Sequence, residues 1–464
     1  MKFQSIFRSL SPGAMPAFVA LCIPLVAFAQ QTDKASPLTL TQAVTIALEK
    51  NPQRKAALAD AKAAAADVRE ARSFLLPHVT FSETATRGND PVYVFGSKLQ
   101  QQRFTSADFA LNLLNTPTPL NNFSSRFGGT WNLFDSFATW RGVRRAERAK
   151  EAANHQLERA DQEVVFGAIN AYDDVLLAKK ELEVAEQATK TTQAIFDRSK
   201  ARVDSGVAVE SDLLNAHVRL AERKQELIRA QNNVSLARAE LARAMGISTD
   251  KDSEPVETLA ERSLPQRSLE ELEKQAMEAR PDLKRVQSEE AAQQQSVAIA
   301  KSSFGPRVNA FADWEADNPT FVSGGGGNHW MAGIELQVDL FQGGARRAKL
   351  QREQAAKEKV AALQEAARDA IRLEVRRAYY DFDAARQQVE VAKAAIAQAQ
   401  ESLRITQNRY ESGVSTITDL LSAEEAASRS QADYWQTVCR YQTSYANLEL
   451  ATGTLNVQSP VVMP

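Results

Sequence analysis

Two stretches of this sequence repeat a large or β-branched side chain every seven positions for longer than a compact domain can hold. Val375, Phe382, Val389, Ile396, Leu403 and Tyr410 form one ladder, interleaved with Ile371, Ala378, Ala385, Ala392, Ala399 and Thr406. Val175, Leu182, Thr189, Phe196 and Val203 form the other, beside Ala171, Ala178 and Ala185. The spacing predicts helices over about 136–203 and 344–410. At 1.5 Å per residue a helix of roughly 68 residues is a rod of about 100 Å. Each rod is answered downstream by a shorter helix, about 210–245 and 416–452. Their seams read Leu213, Leu220, Leu227, Val234, Leu241 and Leu420, Ala427, Tyr434, Tyr441, Leu448. A sustained seven-residue period imposes a left-handed supercoil. Gly206 and Gly413 sit between the partners, where a helix end favours glycine. The chain therefore carries two antiparallel coiled-coil hairpins.

The hairpins belong to a unit written twice. Leu40, Ala47 and Pro52 recur as Leu269, Ala276 and Pro281, and Pro77-His78-Val79 as Pro306-Arg307-Val308, all 229 residues on. Leu133-Phe134, Ala171-Tyr172, Ser205-Gly206-Val207 and Asp212-Leu213-Leu214 recur at Leu340-Phe341, Ala378-Tyr379, Ser412-Gly413-Val414 and Asp419-Leu420-Leu421, 207 residues on. The difference places a longer loop between Pro77 and Phe134 of the first copy. Repeat one spans 30–247 and repeat two 268–464, joined by a Ser-, Asp-, Glu- and Pro-rich linker at 248–267. Each copy reads helix, strand, loop, strand, long helix, turn, helix, with single first helices over 41–74 and 269–303. Scarce glycine, 19 of 464 residues, fits long helices.

Four segments, about 79–87, 123–134, 307–316 and 329–341, alternate. Trp330, Ala332, Ile334, Leu336, Val338 and Leu340 oppose Glu335, Gln337 and Asp339; Phe123, Phe127, Trp131 and Leu133 oppose Arg126, Thr130 and Asn132. Alternation gives each strand one apolar and one polar face. Either a soluble sandwich or an outer-membrane barrel has that pattern. The helix-dominated remainder offers no second sheet to cover the apolar face, which favours the barrel. Four strands cannot close one, because about eight is the minimum, so a membrane reading demands several copies. Three copies give twelve strands and an open passage.

Lys2 and Arg8 precede an apolar stretch, 18–28, ending in Ala27-Phe28-Ala29. That is the pattern of a secretory signal peptide over 1–29. Leu21 before Cys22 argues against lipid attachment, and cleavage after Ala29 leaves Cys439 as the remaining cysteine. A net charge of −2 offers no basic footprint for nucleic acid. No nucleophile elbow, zinc-protease motif, Walker loop or C-x-x-C occurs, so no enzyme, cofactor or metal is expected. His78, His155, His217 and His329 are well separated and read as incidental. Gly324–Gly327 lies between strands and reads as a hairpin loop rather than a phosphate cradle. Arg141, Arg144, Arg145, Arg148, Lys150 and Arg346, Arg347, Lys349, Arg352 follow the last strand of each copy. They read as a solvated helix start or as a collar at lipid head groups. Trp131, Trp140, Trp314 and Trp330 suit either a membrane interface or packing.

The duplicated plan and the twin turns Val203-Asp204-Ser205-Gly206-Val207 and Tyr410-Glu411-Ser412-Gly413-Val414 resemble the TolC-like outer membrane efflux proteins across the mature chain. The resemblance implies a mainly α chain with membrane β: a homotrimer with a twelve-stranded outer-membrane barrel on a helical periplasmic tunnel. It implies a passive exit duct of a tripartite efflux or type I secretion system, working with a periplasmic adaptor and an inner-membrane pump. The tips Gly206, Val207, Gly413 and Val414 would dock the adaptor. Asp212 and Asp419 would constrict the entrance, although Ser422 stands where some relatives have a second acid; helix capping is the competing account of both. The first outer loop, 88–122, is longer than the family pattern. A periplasmic adaptor or structural coiled coil is the rival, but an adaptor carries one hairpin and a coiled coil needs no facially apolar strands.

Overall fold

The computed structural model describes residues 36–249, 253–321 and 326–463. The predicted leader with Cys22, linker positions 250–252, and Gly324 and Gly325 lie outside the described residues. After a short strand β1 (Ser36–Leu38), the first copy contains α1 (Leu40–Lys50), α2 (Pro52–Ser73), β2 (His78–Gly88), α3 (Pro91–Gln100), α4 (Leu111–Asn115), β3 (Leu120–Phe134), α5 (Ala138–Asp204) and α6 (Glu210–Met245). The second contains β4 (Ser253–Pro255), α7 (Leu269–Ala279), α8 (Pro281–Ser302), β5 (Arg307–Asn318), β6 (Gly327–Gln337), α9 (Ala345–Glu411) and α10 (Ile417–Thr452).

Helices α5 and α9 each have 67 residues, and their return helices α6 and α10 have 36. A return helix therefore covers about half a rod. On the tipward half the heptad seam closes: Val175, Leu220, Val234, Leu241, Val375, Phe382, Val389, Tyr441 and Leu448 are buried. Phe382 stacks on Tyr441 with ring centroids 5.4 Å apart. On the other half, α5 packs against α2 and α8. Arg54–Asp161 and Arg72–Glu147 ion pairs, both 2.7 Å, join α2 to α5.

The core lies where these halves meet. Strands β1 and β4 pair in parallel there, and the Tyr172 hydroxyl, 1% exposed, donates to the Leu38 carbonyl at 2.9 Å. Leu259 and Leu264 of the linker and Val461 and Val462 of the C-terminus are buried in the same cluster. Chain ends and linker thus fill one hydrophobic girdle around the rods.

The predicted single helices 41–74 and 269–303 are each two. Proline excludes the α conformation at the residue before it while suiting the first helical turn. Asn51 and Arg280 accordingly have ψ of 129° and 121° ahead of Pro52 and Pro281. Both breaks dock on the end of a return helix. Asn51 Nδ2 donates to the Ala244 carbonyl at 2.9 Å, and Arg280 Nη1 to the Ala451 carbonyl at 3.0 Å.

The four long strands form one antiparallel sheet in the order β2-β3-β5-β6, so the two copies join through β3 and β5. Strand β6 stops at Gln337, short of the predicted 341, and Leu340 and Phe341 follow it exposed. The predicted loop 88–122 is largely structured. Phe95, Phe104 and Phe109 pack edge to face, and Lys98 pairs with Asp108 at 2.6 Å. At the entry to α5, Ser136 and Phe137 hold φ of 58° and 67°, where the second copy has Gly343 and Gly344. Left-handed backbone costs a non-glycine residue about 1–2 kcal/mol. Asp135 offsets it by accepting from the Thr139 amide and from Asn132 Nδ2, both at 2.9 Å.

Candidate functional site: sheet face and hairpin tips

Register gives the apolar face of the sheet a shape that alternation alone does not. Phe81 opposes Phe127, Phe127 opposes Trp314, and Trp314 opposes Trp330, so one aromatic row crosses all four strands. Phe81 and Phe127 ring centroids lie 4.8 Å apart, Phe127 and Trp314 5.9 Å. Toward the helices the same face presents Ile334 and Leu336, 72% and 67% exposed. Phe341, beyond the end of β6, and Trp140, in the first turn of α5, are also exposed. The opposite face carries Thr80, Ser82, Arg126, Asp313, Glu315 and His329, with Arg126 Nε donating to Asp313 Oδ1 at 3.0 Å. Among the described residues no second sheet covers the apolar face, and no helix is long and apolar enough to cross a membrane.

The basic runs below the sheet have a partly structural use. Arg141 Nη1 donates to the Ala298 carbonyl at 2.8 Å, and Arg346 Nη1 to the Ser303 carbonyl at 3.3 Å. Both tie the start of a long helix to the C-terminal end of α8. Arg144, Arg145, Arg347 and Arg352 are exposed. Trp131 Nε1 donates to the Leu75 carbonyl at 3.0 Å, locking strand to helix. Burial pushes the Cys439 thiol far above its ordinary range, the nearby Asp173 charge adding to it; such a thiol is unreactive.

At the far end of the rods, each turn is a Schellman cap. Gly206 N–H donates to the Val203 carbonyl and Val207 N–H to that of Arg202, both at 2.9 Å. Gly413 and Val414 repeat this with Tyr410 and Arg409 at 3.1 and 2.8 Å. The glycines have φ of 72° and 76° with open space around them, so backbone conformation rather than crowding requires them. The cap leaves Val207 and Val414 each 67% exposed.

Asp212 and Asp419 are both the third residue of their helices, and only Asp419 is engaged as a cap. Its Oδ2 accepts from the Thr416 amide and the Ser415 hydroxyl, both at 3.0 Å, while its own amide donates to Thr416 Oγ1. The Thr416 bonds chiefly, and the Ser415 bond after them, hold its carboxyl below the usual range. A depressed folded-state pKa gives stability that is present above the ordinary carboxylate value and lost as pH falls through the lowered one. Asp212 has no such box: Val209 stands at the cap position without a side-chain bond.

Sequence reasoning missed the contacts that hold the two hairpins of one chain together. Arg223 on α6 and Glu424 on α10, 6% and 2% exposed, pair at 2.9 Å, and Arg219 reaches Glu425 at 2.5 Å. Nearer the tips, Arg198 bonds Glu411, and Arg202 donates to the Tyr410 carbonyl at 3.2 Å. Polar residues at seam spacing, Arg223 three after Leu220 and Glu424 four after Leu420, were the available signal. Burial opposes the Arg223 charge, but hydrogen bonds to Glu226 and Glu424 outweigh it and raise its pKa. Burial raises Glu424 as well, with Arg223 only partly opposing. Each partner favours the other's charged form; desolvation outweighs that help at Glu424 and not at Arg223.

An amphipathic sheet with an aromatic row, set on a stem of paired coiled coils, defines a membrane channel protomer. Residues 43–247 and 272–454 match the outer membrane efflux protein family, and the chain belongs to that family. It is 26% identical over 417 residues to Protein CyaE of Bordetella pertussis, covering 88% of this chain and 83% of that one. It is 24% identical over 430 residues to the outer membrane protein TolC of Escherichia coli, covering 88% and 80%. Its fold matches the Campylobacter jejuni CmeC outer membrane channel with a TM-score of 0.76 at 18% identity, over 98% and 96% of the chains. The family consists of outer membrane channels rather than enzymes.

Removing one member of the buried pair leaves the other uncompensated. Arg223→Met is expected to destabilise the folded protein by about 3–5 kcal/mol in denaturant unfolding. Adding Glu424→Leu should recover most of that loss; simple addition of the two single effects would contradict the assignment.

Proposed function

We propose that three copies of this chain form a passive exit duct in the outer membrane. Their twelve strands close a barrel, and their hairpins continue it as a periplasmic tunnel. The observation that carries this reading is the four-stranded sheet whose apolar face is uncovered and whose β2 and β6 edges are unpaired within the chain. Lipid tolerates no unpaired strand edge, and two copies would make a barrel that side chains fill. The polar face then lines the passage. A periplasmic adaptor docks on the tips through Val207 and Val414, which are exposed there, and an inner-membrane transporter supplies the energy and chooses the cargo. Asp212 and Asp419 gather six carboxylates where the hairpins converge, favouring cations at the entrance. The Thr416 box gives Asp419 a capping role beside this one.

Leu336→Arg places a charge on the lipid face and is expected to cost about 2–4 kcal/mol per chain near the bilayer midplane. The protein should then fail to appear in the outer-membrane fraction; undiminished assembly would refute a lipid-facing β6.

Asp212→Asn combined with Asp419→Asn separates entrance chemistry from capping. Reduced cation selectivity in planar bilayers is the expected result. Unaltered selectivity with lowered thermal stability would leave Asp419 as a cap alone and Asp212 without a role at the entrance.

A further inference from the structure

The polar face of the sheet holds a cluster that duct function does not explain. Glu315 and Asp317 stand two apart on β5, and His329 on β6 pairs with Glu315 in the strand register. All three therefore project from one face, beyond the Trp314–Trp330 row and beside the folded loop of the first copy. His329 Nε2 lies 3.7 Å from Glu315 Oε2, and His329 Nδ1 lies 3.8 Å from Asp317 Oδ2. One ligand atom from each residue can be chosen so that all lie within 4.8 Å of one another. Neither histidine contact is short enough to be a hydrogen bond.

Asp317 is the informative member. It is fully buried, and its Oδ2 takes no hydrogen bond while being turned toward the histidine. Leaving a buried carboxylate oxygen without a donor is costly. Its other oxygen is held: Asn122 Nδ2 donates to Asp317 Oδ1 at 2.5 Å. Asn122 is held in turn by Gln101 Nε2, which donates to its Oδ1 at 2.9 Å and to the Asn121 carbonyl at 2.8 Å. Glu315 has the same division of labour, with Ser124 donating to Oε1 and Oε2 left free. Arg126, the cation nearest in register, is engaged by Asp313 at 3.0 Å. Each carboxylate thus has one oxygen fixed by a neighbour and the other aimed into the cluster, the arrangement that orients metal ligands.

We infer that Glu315, Asp317 and His329 form a binding site for a divalent first-row transition cation of the zinc class, one per chain, at the outer mouth. Two ligand atoms bound at about 2.1 Å lie roughly 3–4.2 Å apart, depending on their angle at the metal. One imidazole gives the ion a single nitrogen, so one histidine–carboxylate separation already lies in this range and the third ligand atom, within 4.8 Å, closes by side-chain rotation. Two carboxylates with one imidazole suit zinc, nickel or cobalt better than magnesium or calcium, which take oxygen ligands. A bound cation would cross-link β5 to β6 and, through Asn122 and Gln101, fasten the loop containing α3 over the outlet. This goes beyond the duct reading, because all the ligands come from one chain.

The test is zinc binding by isothermal titration to the full-length, detergent-solubilised protein. An Asp212→Asn, Asp419→Asn background keeps the proposed entrance carboxylates out of the measurement. One zinc per chain is expected, with magnesium at the same concentration giving no heat. His329→Ala should weaken zinc binding at least tenfold, and so should Asp317→Asn, which preserves the side-chain volume should the first variant fold poorly. Zinc should also slow amide exchange across 91–122 in the parent and not in either variant. Absence of zinc binding in the parent, or equal affinity in parent and folded variants, would overturn the assignment.

Discussion

A backbone amide in lipid has nowhere to donate except another strand or its own helix, and this constraint organises the whole molecule. Each chain contributes β2, β3, β5 and β6 with an aromatic row in register across them. It leaves β2 and β6 as edges. On the proposed reading other copies complete this sheet, and the membrane part of one chain is a fragment of a structure rather than a domain. The apolar face presents Ile334, Leu336 and Trp330 outward, where a soluble protein would have to bury them.

The helical part solves a different problem: supporting a long rod without a globular core. Duplication supplies two rods, and each is covered in halves. Return helices α6 and α10 zipper the tipward halves through the heptad seam, while α2 and α8 brace α5 near the sheet. The larger hydrophobic cluster lies at the changeover, closed by linker and C-terminus around Tyr172. Proline breaks at Pro52 and Pro281 let the supporting helices turn onto the ends of α6 and α10. Toward the tips the two hairpins are held by the buried Arg223–Glu424 pair and by a small apolar cluster of Ile195, Tyr410, Ile417 and Leu420.

Periodicity was legible because it is local. The heptads, the repeat offsets, the alternation of the strands and the tip glycines each depend on spacing within one segment, and the twin turns carried the family resemblance. The paired breaks were visible as Pro52 and Pro281 but passed over, since helical periodicity continues across them. The structured outer loop was not legible, because Phe95, Phe104 and Phe109 meet only after the chain folds back. His329 read as incidental for the same reason. Its carboxylate neighbours come from the opposite strand, and strand register is set by the whole sheet. The left-handed backbone at Ser136 and Phe137 is signalled in the sequence by Gly343 and Gly344 at the equivalent positions of the second copy.

The central claim, closure of the sheet between copies, is tested most directly by joining its two edges. In a Cys439→Ser background, Ser82→Cys on β2 is combined in turn with Met331→Cys and Glu335→Cys on β6, and the outer-membrane fraction is treated with a short bis-maleimide. Closure by three copies predicts a denaturing-gel ladder of monomer, dimer and trimer that ends at trimer for the pair in register. A crosslink formed within single chains, or a ladder ending at dimer, would contradict it.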